Sequence, residues 1–221
     1  MSFAAPAWDL SLFFAVNHGR SPVLDWIMPL ISERWLAVAI LGAALAVFVL
    51  GRRWRPATLV LWIALSVVAV DAGTNVIKKA MGRVRPVDSL AEVHFQQRGQ
   101  WRTRPADFVQ TKQRSSSYFS AHSANSMCMA VMAMVFWRSL RPWLIIVPLA
   151  VGYSRMYLGQ HFPSDVLAGW VFGAVSGWGL ALAFGMIERC LAALRPAAAV
   201  QCDAHGRGDQ KEHHAECDLD R

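Results

Sequence analysis

Charged side chains are scarce in this sequence. Asp, Glu, Lys and Arg make up 17% of its 221 residues, where a soluble domain carries about 25%. Apolar residues account for 55% and the mean hydropathy is +0.30, which leaves too little polar surface to clothe an ordinary soluble particle. Carboxylates are the rarer charge, 15 against 22 Lys and Arg, and nowhere do they cluster as a two-metal site requires. There are four cysteines. Cys128 falls inside an apolar run, Cys190 lies just beyond another, and Cys202 and Cys217 fall in a C-terminal stretch that reads as cytoplasmic, so no disulfide is expected. The N-terminus lacks a basic region followed by a small-residue cleavage site, and no cleaved signal peptide is expected. No internal repeat of the kind transporters use is visible.

What is present is apolar residues in blocks. They fill 35–50 (WLAVAILGAALAVFVL), 57–77, 119–137, 143–153 and 166–187. Such blocks approach the roughly 20 residues that cross a bilayer as a helix. The expected fold is therefore all-α: a polytopic membrane bundle of five transmembrane helices. Residues 7–31 read either as an interfacial amphipathic helix over 7–17 or as a kinked sixth element. Residues 1–195 form the membrane-embedded domain in this reading, and 196–221 a polar tail.

Arginines mark the short connections: Arg52, Arg53 and Arg55; Arg138 and Arg141; Arg189 and Arg195. The positive-inside rule makes these cytoplasmic and places 78–118 and 154–165 on the opposite, outer face. Residues 78–115 nevertheless hold nine Lys and Arg against three Asp and Glu. Basic residues retained on an outer face need a reason other than topology, and anion binding is one.

Counting helices places three polar clusters on a single face. In KKAMGRVRP, Lys78 and Arg85 are two helical turns apart, and Pro86 disfavours helix at Arg85. In SSSYFSAHSANSM, Ser120 is positioned to cap a helix whose first N–H groups then face an anion, with His122 in the first turn. In SRMYLGQHFPSD, Arg155 precedes His161, and Pro163 suits the first turn of the following helix. Asp165 is within reach of one imidazole nitrogen of His161, orienting the ring and raising the basicity of the other nitrogen. Three cations and a helix N-terminus can surround a phosphate while two imidazoles act as nucleophile and proton donor. Phosphoryl transfer asks for little beyond positioning and charge stabilisation. A cation-rich pocket repels Mg²⁺, so metal-independent chemistry with no cofactor is expected.

Together these clusters resemble the motifs of the type 2 phosphatidic acid phosphatase (PAP2) family. Lys78 to Arg85-Pro86 is similar to its K-x6-R-P motif, and Phe119-Ser120-Ala121-His122 to its P-S-G-H motif. Ser154, Arg155, His161 and Asp165 are similar to its S-R-x5-H-x3-D motif at every spacing. The resemblance spans about residues 9–187. It implies that His161 attacks phosphorus to form a phosphohistidine while Asp165 holds the ring. His122 protonates the leaving oxygen, and Lys78, Arg85, Ser120, Arg155 and the Ala121 N–H hold the phosphoryl oxygens. The sequence departs from the family at Phe119 and Ala121. Alanine keeps the backbone N–H, but its methyl narrows the space for the anion.

The compact size, the FFAVNHGRSPVLDWIM stretch and the form of the second motif look most like bacterial undecaprenyl diphosphate phosphatases. The implied location is the bacterial inner membrane, with the site facing the periplasm or exterior and a lipid phosphate or diphosphate as substrate. Phosphatidate, phosphatidylglycerophosphate and the lipid A 1-phosphate are the alternatives. A catalytically inactive lipid-binding protein or a transporter is the reading of another class. A soluble vanadate haloperoxidase is disfavoured by the apolar blocks, and nucleic-acid binding by basic residues confined to the site and to membrane-flanking loops. The tail contains Cys202, His205, His213, His214 and Cys217 at spacings a zinc site uses. It has no apolar residues to fold around a metal, so a disordered cytoplasmic tail is expected.

Overall fold

Long apolar runs without internal helix breakers fold as helices, and helices dominate the chain. The structure is a computed structural model that describes residues 5–110 and 112–194. It comprises α1 (Ala7–His18), α2 (Pro22–Ile31), α3 (Arg34–Leu50), α4 (Trp54–Met81), α5 (Pro86–Ser89), β1 (His94–Gln97), β2 (Gln100–Thr103), α6 (Ala121–Phe136), α7 (Arg141–Leu144), α8 (Ile146–Tyr157) and α9 (Pro163–Leu194). A short 3₁₀ turn, Arg138–Leu140, precedes α7. The chain divides into two compact units, one up to Phe184 and one from Gly185. The second unit's described part is the last turns of α9, where Arg189 Nε donates to the Gly185 carbonyl at 3.1 Å. The first unit carries everything that follows. The Cys and His residues of the tail lie outside the described residues.

The expectation of five transmembrane helices with an N-terminal interfacial or sixth helix is overturned. Among the described residues, two helical segments are long and apolar enough to cross a membrane, Trp54–Ser89 and Pro163–Leu194. α4 has 28 residues, about 42 Å at 1.5 Å per residue. The other blocks fall short: α3 has 17 residues, α6 has 16 and α8 has 12. Their apolar composition was visible, but their helices end early, α6 at Phe136 and α8 at Tyr157. Residues 7–31 form two separate helices, α1 and α2, rather than one kinked element. The chain breaks after Gly19, and Ser21 starts α2 by accepting from the Leu24 N–H at 3.3 Å.

Both short N-terminal helices are tied to α8. Asn17 Nδ2 donates to the Tyr157 carbonyl at 2.9 Å, Ser154 Oγ donates to the Met28 carbonyl at 2.7 Å, and the Tyr157 hydroxyl donates to Asp25 at 2.5 Å. The hairpin turns through Arg98 and Gly99, both at positive φ, as a two-residue connection demands. Asn17 clamps its first strand by accepting from the His94 N–H at 2.8 Å.

The main core unites α4, α6 and α9 through Leu59, Ile63, Val70, Ala124, Cys128, Met132, Ala181 and Phe184. On their outer faces α4 and α9 expose Leu61, Leu65, Val68, Val171, Val175 and Leu182. Apolar side chains turned outward on the two longest helices suit a hydrocarbon solvent. Close approach of α6 and α9 depends on glycine. A Cβ at Gly173 would lie 2.2 Å from the Ala124 carbonyl oxygen, a backbone atom with no freedom to yield. Gly173→Ala is expected to force the helices apart and cost on the order of 3 kcal/mol. At Gly179 a Cβ meets nothing within 4 Å, and Gly179→Ala is expected to hold or raise stability through helix propensity alone. Thermal unfolding of the two variants in detergent checks the contrast, and equal midpoints would refute it.

Candidate active site

α4 ends because Gly82 adopts the left-handed conformation (φ 62°) and returns its N–H to the Lys78 carbonyl at 3.1 Å. Such a cap turns the chain sharply at little steric cost. Residues 83–85 then run extended into Pro86, which opens α5. This extended piece pairs with the approach to α6. The Ser115 N–H donates to the Gly82 carbonyl at 3.1 Å and the Ser117 N–H to the Arg83 carbonyl at 3.0 Å. α6 starts where Ser120 Oγ accepts from the Ser123 N–H at 3.3 Å, and Ala121 and His122 occupy its first turn. The 158–162 connection loops from α8 to α9, held by the Val87 N–H on the Gly159 carbonyl and the Ser120 N–H on the Asp165 carbonyl, each at 3.0 Å. The three polar segments that helix counting placed on one face are thus joined by direct hydrogen bonds, although the count behind that inference was wrong.

His161 and Asp165 are buried, at 1% and 0% exposure. His161 Nδ1 lies 3.7 Å from Asp165 Oδ2, too far for a hydrogen bond in this state. Burial pushes the His161 imidazole down to about 4, and the neighbouring Arg155 adds to the depression against the pull of Asp165. The ring is therefore neutral at neutral pH, the form a nucleophile needs. Arg155 is buried at the end of α8. Arg85 Nη1 donates to Gln160 Oε1 at 2.9 Å and Nη2 to Ser116 Oγ at 3.3 Å, while its Nε is buried without a hydrogen-bond partner. Ser120 and Ala121 are buried, and Lys78 and His122 are half-buried in the last turn of α4 and the first turn of α6. Phe119, at the motif's departure from the family pattern, packs on Phe172 at 4.9 Å between ring centres.

Several residues at this centre were missed by the sequence reading. Arg83, between Lys78 and Arg85, is 2% exposed and donates Nη1 to Asp165 Oδ1 at 2.6 Å and Nη2 to Asp9 Oδ2 at 2.7 Å. Ser117 donates to Asp165 Oδ2 at 2.5 Å, and the Phe162 N–H reaches the same oxygen at 2.9 Å. Asp9 accepts from the Ser164 N–H at 2.7 Å and from its hydroxyl at 2.6 Å. One signal for Asp9 was available: a lone carboxylate in an apolar run is costly to bury without a partner. Ser154, a motif position, serves α2 instead, donating to Met28. Among the described residues no group of three or more His, Cys, Asp or Glu side chains is placed to hold a metal ion.

The sequence pattern of the PAP2 superfamily matches residues 58–189. A lipid A 4'-phosphatase of Bacteroides thetaiotaomicron is 26% identical over 177 residues, covering 77% of this chain and 74% of that protein. An undecaprenyl-diphosphatase of Sulfolobus acidocaldarius is 27% identical over 176 residues, covering 76% and 74%. Among solved structures, Aquifex aeolicus LpxE has the same fold, with a TM-score of 0.59 at 23% identity over 81% of this chain and 98% of that one. With the family match spanning more than half of its length, the chain belongs to the PAP2 superfamily and is a metal-independent hydrolase.

Proposed function

We propose that the chain removes phosphate from a membrane lipid headgroup through a phosphohistidine on His161. The observation that carries this reading is the meeting of His161, Asp165, Arg85 and the start of α6 at one end of the two long helices. In the proposed reaction His161 Nε2 attacks phosphorus, the bond to the leaving oxygen breaks, and His122 gives that oxygen its proton. Water then attacks the phosphohistidine, His122 takes its proton, and inorganic phosphate leaves with the ring restored. Lys78, Arg85 and Arg155 neutralise the phosphoryl oxygens, and the Ala121 N–H and the Ser120 hydroxyl supply directed hydrogen bonds. The buried Nε of Arg85 gains a partner when a phosphoryl oxygen enters.

Undecaprenyl diphosphate is the proposed substrate, hydrolysed to undecaprenyl phosphate at the outer side of a bacterial inner membrane. Its support is the form of the motifs together with the diphosphatase relative. Phosphatidate, phosphatidylglycerophosphate and lipid A are the competing headgroups, and the lipid A 4'-phosphatase relative favours the last of them. The deciding experiment is phosphate release by the detergent-solubilised full-length chain from all four lipids. Undecaprenyl diphosphate is expected to be cleaved at least about tenfold faster than the others, a preference of about 1.4 kcal/mol. Equal weak rates overturn the substrate, and release from none overturns the activity.

A further inference from the structure

Asp165 is not held by the histidine it faces. Its Oδ1 receives Arg83 Nη1 at 2.6 Å, and its Oδ2 receives the Ser117 hydroxyl and the Phe162 N–H. Arg83 is itself clamped: its other nitrogen reaches Asp9 at 2.7 Å, its Nη1 also donates to Ser164 Oγ at 2.7 Å, and its guanidinium lies 4.3 Å from the centre of the Phe162 ring. Asp9, Arg83 and Asp165 are all at 2% exposure or less. They join α1, the turn after α4 and the first turn of α9, elements up to 155 residues apart in sequence. Burying three charges is expensive. Packing alone gives no reason to tie α1 down in this way.

The charge balance gives one. Arg83 paired with Asp165 alone would cancel the negative charge that stabilises positive charge on the attacking ring. The second carboxylate leaves the trio with one net negative charge beside His161, while the fork of the guanidinium holds Asp165 in place. We infer that Asp9 and Arg83 are positioning residues of the reaction. Arg83 fixes the Asp165 carboxylate against His161, and Asp9 restores the negative charge that Arg83 would otherwise neutralise. The inference rests on the reading of His161 as nucleophile. The charged groups that also act on the ring are Arg155 from α8, Arg85 from the turn after α4 and Asp165 from α9.

The test is steady-state phosphate release by the purified full-length wild type, Asp9→Asn and Arg83→Lys on undecaprenyl diphosphate and on lipid A, across about pH 2.5 to 9, so that a limb near 4 and a shift below it both fall inside the range. Asp9→Asn is expected to lower kcat by about 10- to 100-fold with KM within about twofold, as loss of a group that orients a reacting one does. With less negative charge near the ring, the acid limb of kcat/KM is expected to move to lower pH. Arg83→Lys keeps the charge but loses the fork, and is expected to lower kcat without moving that limb. If Asp9→Asn does not fold, the same comparison is made with Asp9→Ser, which removes the charge and leaves a hydroxyl for Ser164. An acid limb and kcat unchanged in the charge-removing variant overturn the inference, leaving Asp9 a structural tie. A wild type silent on both lipids, or a His161→Ala variant at full rate, overturns the phosphatase reading and this inference with it.

Discussion

His161→Ala is expected to abolish turnover, with kcat falling on the order of 10⁴- to 10⁶-fold, as removal of a nucleophile does elsewhere. The ring is buried at 1% exposure with its Nδ1 3.7 Å from Asp165 Oδ2, and His122 is assigned the proton transfers rather than the attack. Folding is expected to survive, since the Asp165 carboxylate keeps its bonds to Arg83, Ser117 and the Phe162 N–H. The wild type should show a matching pH dependence. Burial holds the His161 pKa at about 4, so the nucleophile stays neutral and the acid limb due to it is expected below about pH 5. Unfolding returns the ring to its ordinary 6.5, and the unfolded chain therefore binds the proton first. The stability that comes from keeping the ring neutral is present above 6.5 and is lost as pH falls toward 4. His161→Ala should flatten the fall in unfolding free energy across that window. Rate measurements by phosphate release and acid titrations of stability check both halves, and a variant with wild-type kcat would sink the assignment.

Asp165→Asn is expected to cost about 10³- to 10⁴-fold in kcat, by analogy with removal of the orienting aspartate in other histidine-based sites. Here the substitution does more than remove a charge. Both oxygens of Asp165 accept from donors, Arg83 on one side and Ser117 with the Phe162 N–H on the other. An amide placed either way points its NH₂ at a donor. Arg83 loses its ion pair with Asp165, and breaking this buried pair is expected to destabilise the fold by about 3 kcal/mol. Activity per folded molecule separates the two effects. A folded Asp165→Asn protein within tenfold of wild type would show that the carboxylate plays no part in turnover.

Local rules of chain geometry were legible in the sequence. Ser120 does cap α6, Pro163 does open α9, and the helix ahead of Pro86 does stop short of it. Each depends on a few adjacent residues: a hydroxyl before a helix, a ring that fits the first turn, a proline that bars helix before it. The count of membrane-crossing helices was not legible in this way. Apolar composition says that a run avoids water, but the length of its helix depends on where turns and neighbours end it. α8 stops at Tyr157, whose hydroxyl is committed to Asp25 and whose carbonyl is taken by Asn17. Both partners lie more than a hundred residues upstream.

By itself the sequence determined the membrane character of the chain, its helical build and the three polar segments, because composition, periodicity and capping act over a few residues. Only the tertiary structure decided that Arg83 turns inward while Arg85 faces Gln160 and Ser116, and that Asp9 lies against Ser164. Those pairings follow from the left-handed turn at Gly82 and the seating of α1 against α8, and charges buried by distant segments must find their partners there. Two of the buried carboxylates meet a single arginine because only the folded chain brings them within reach of it.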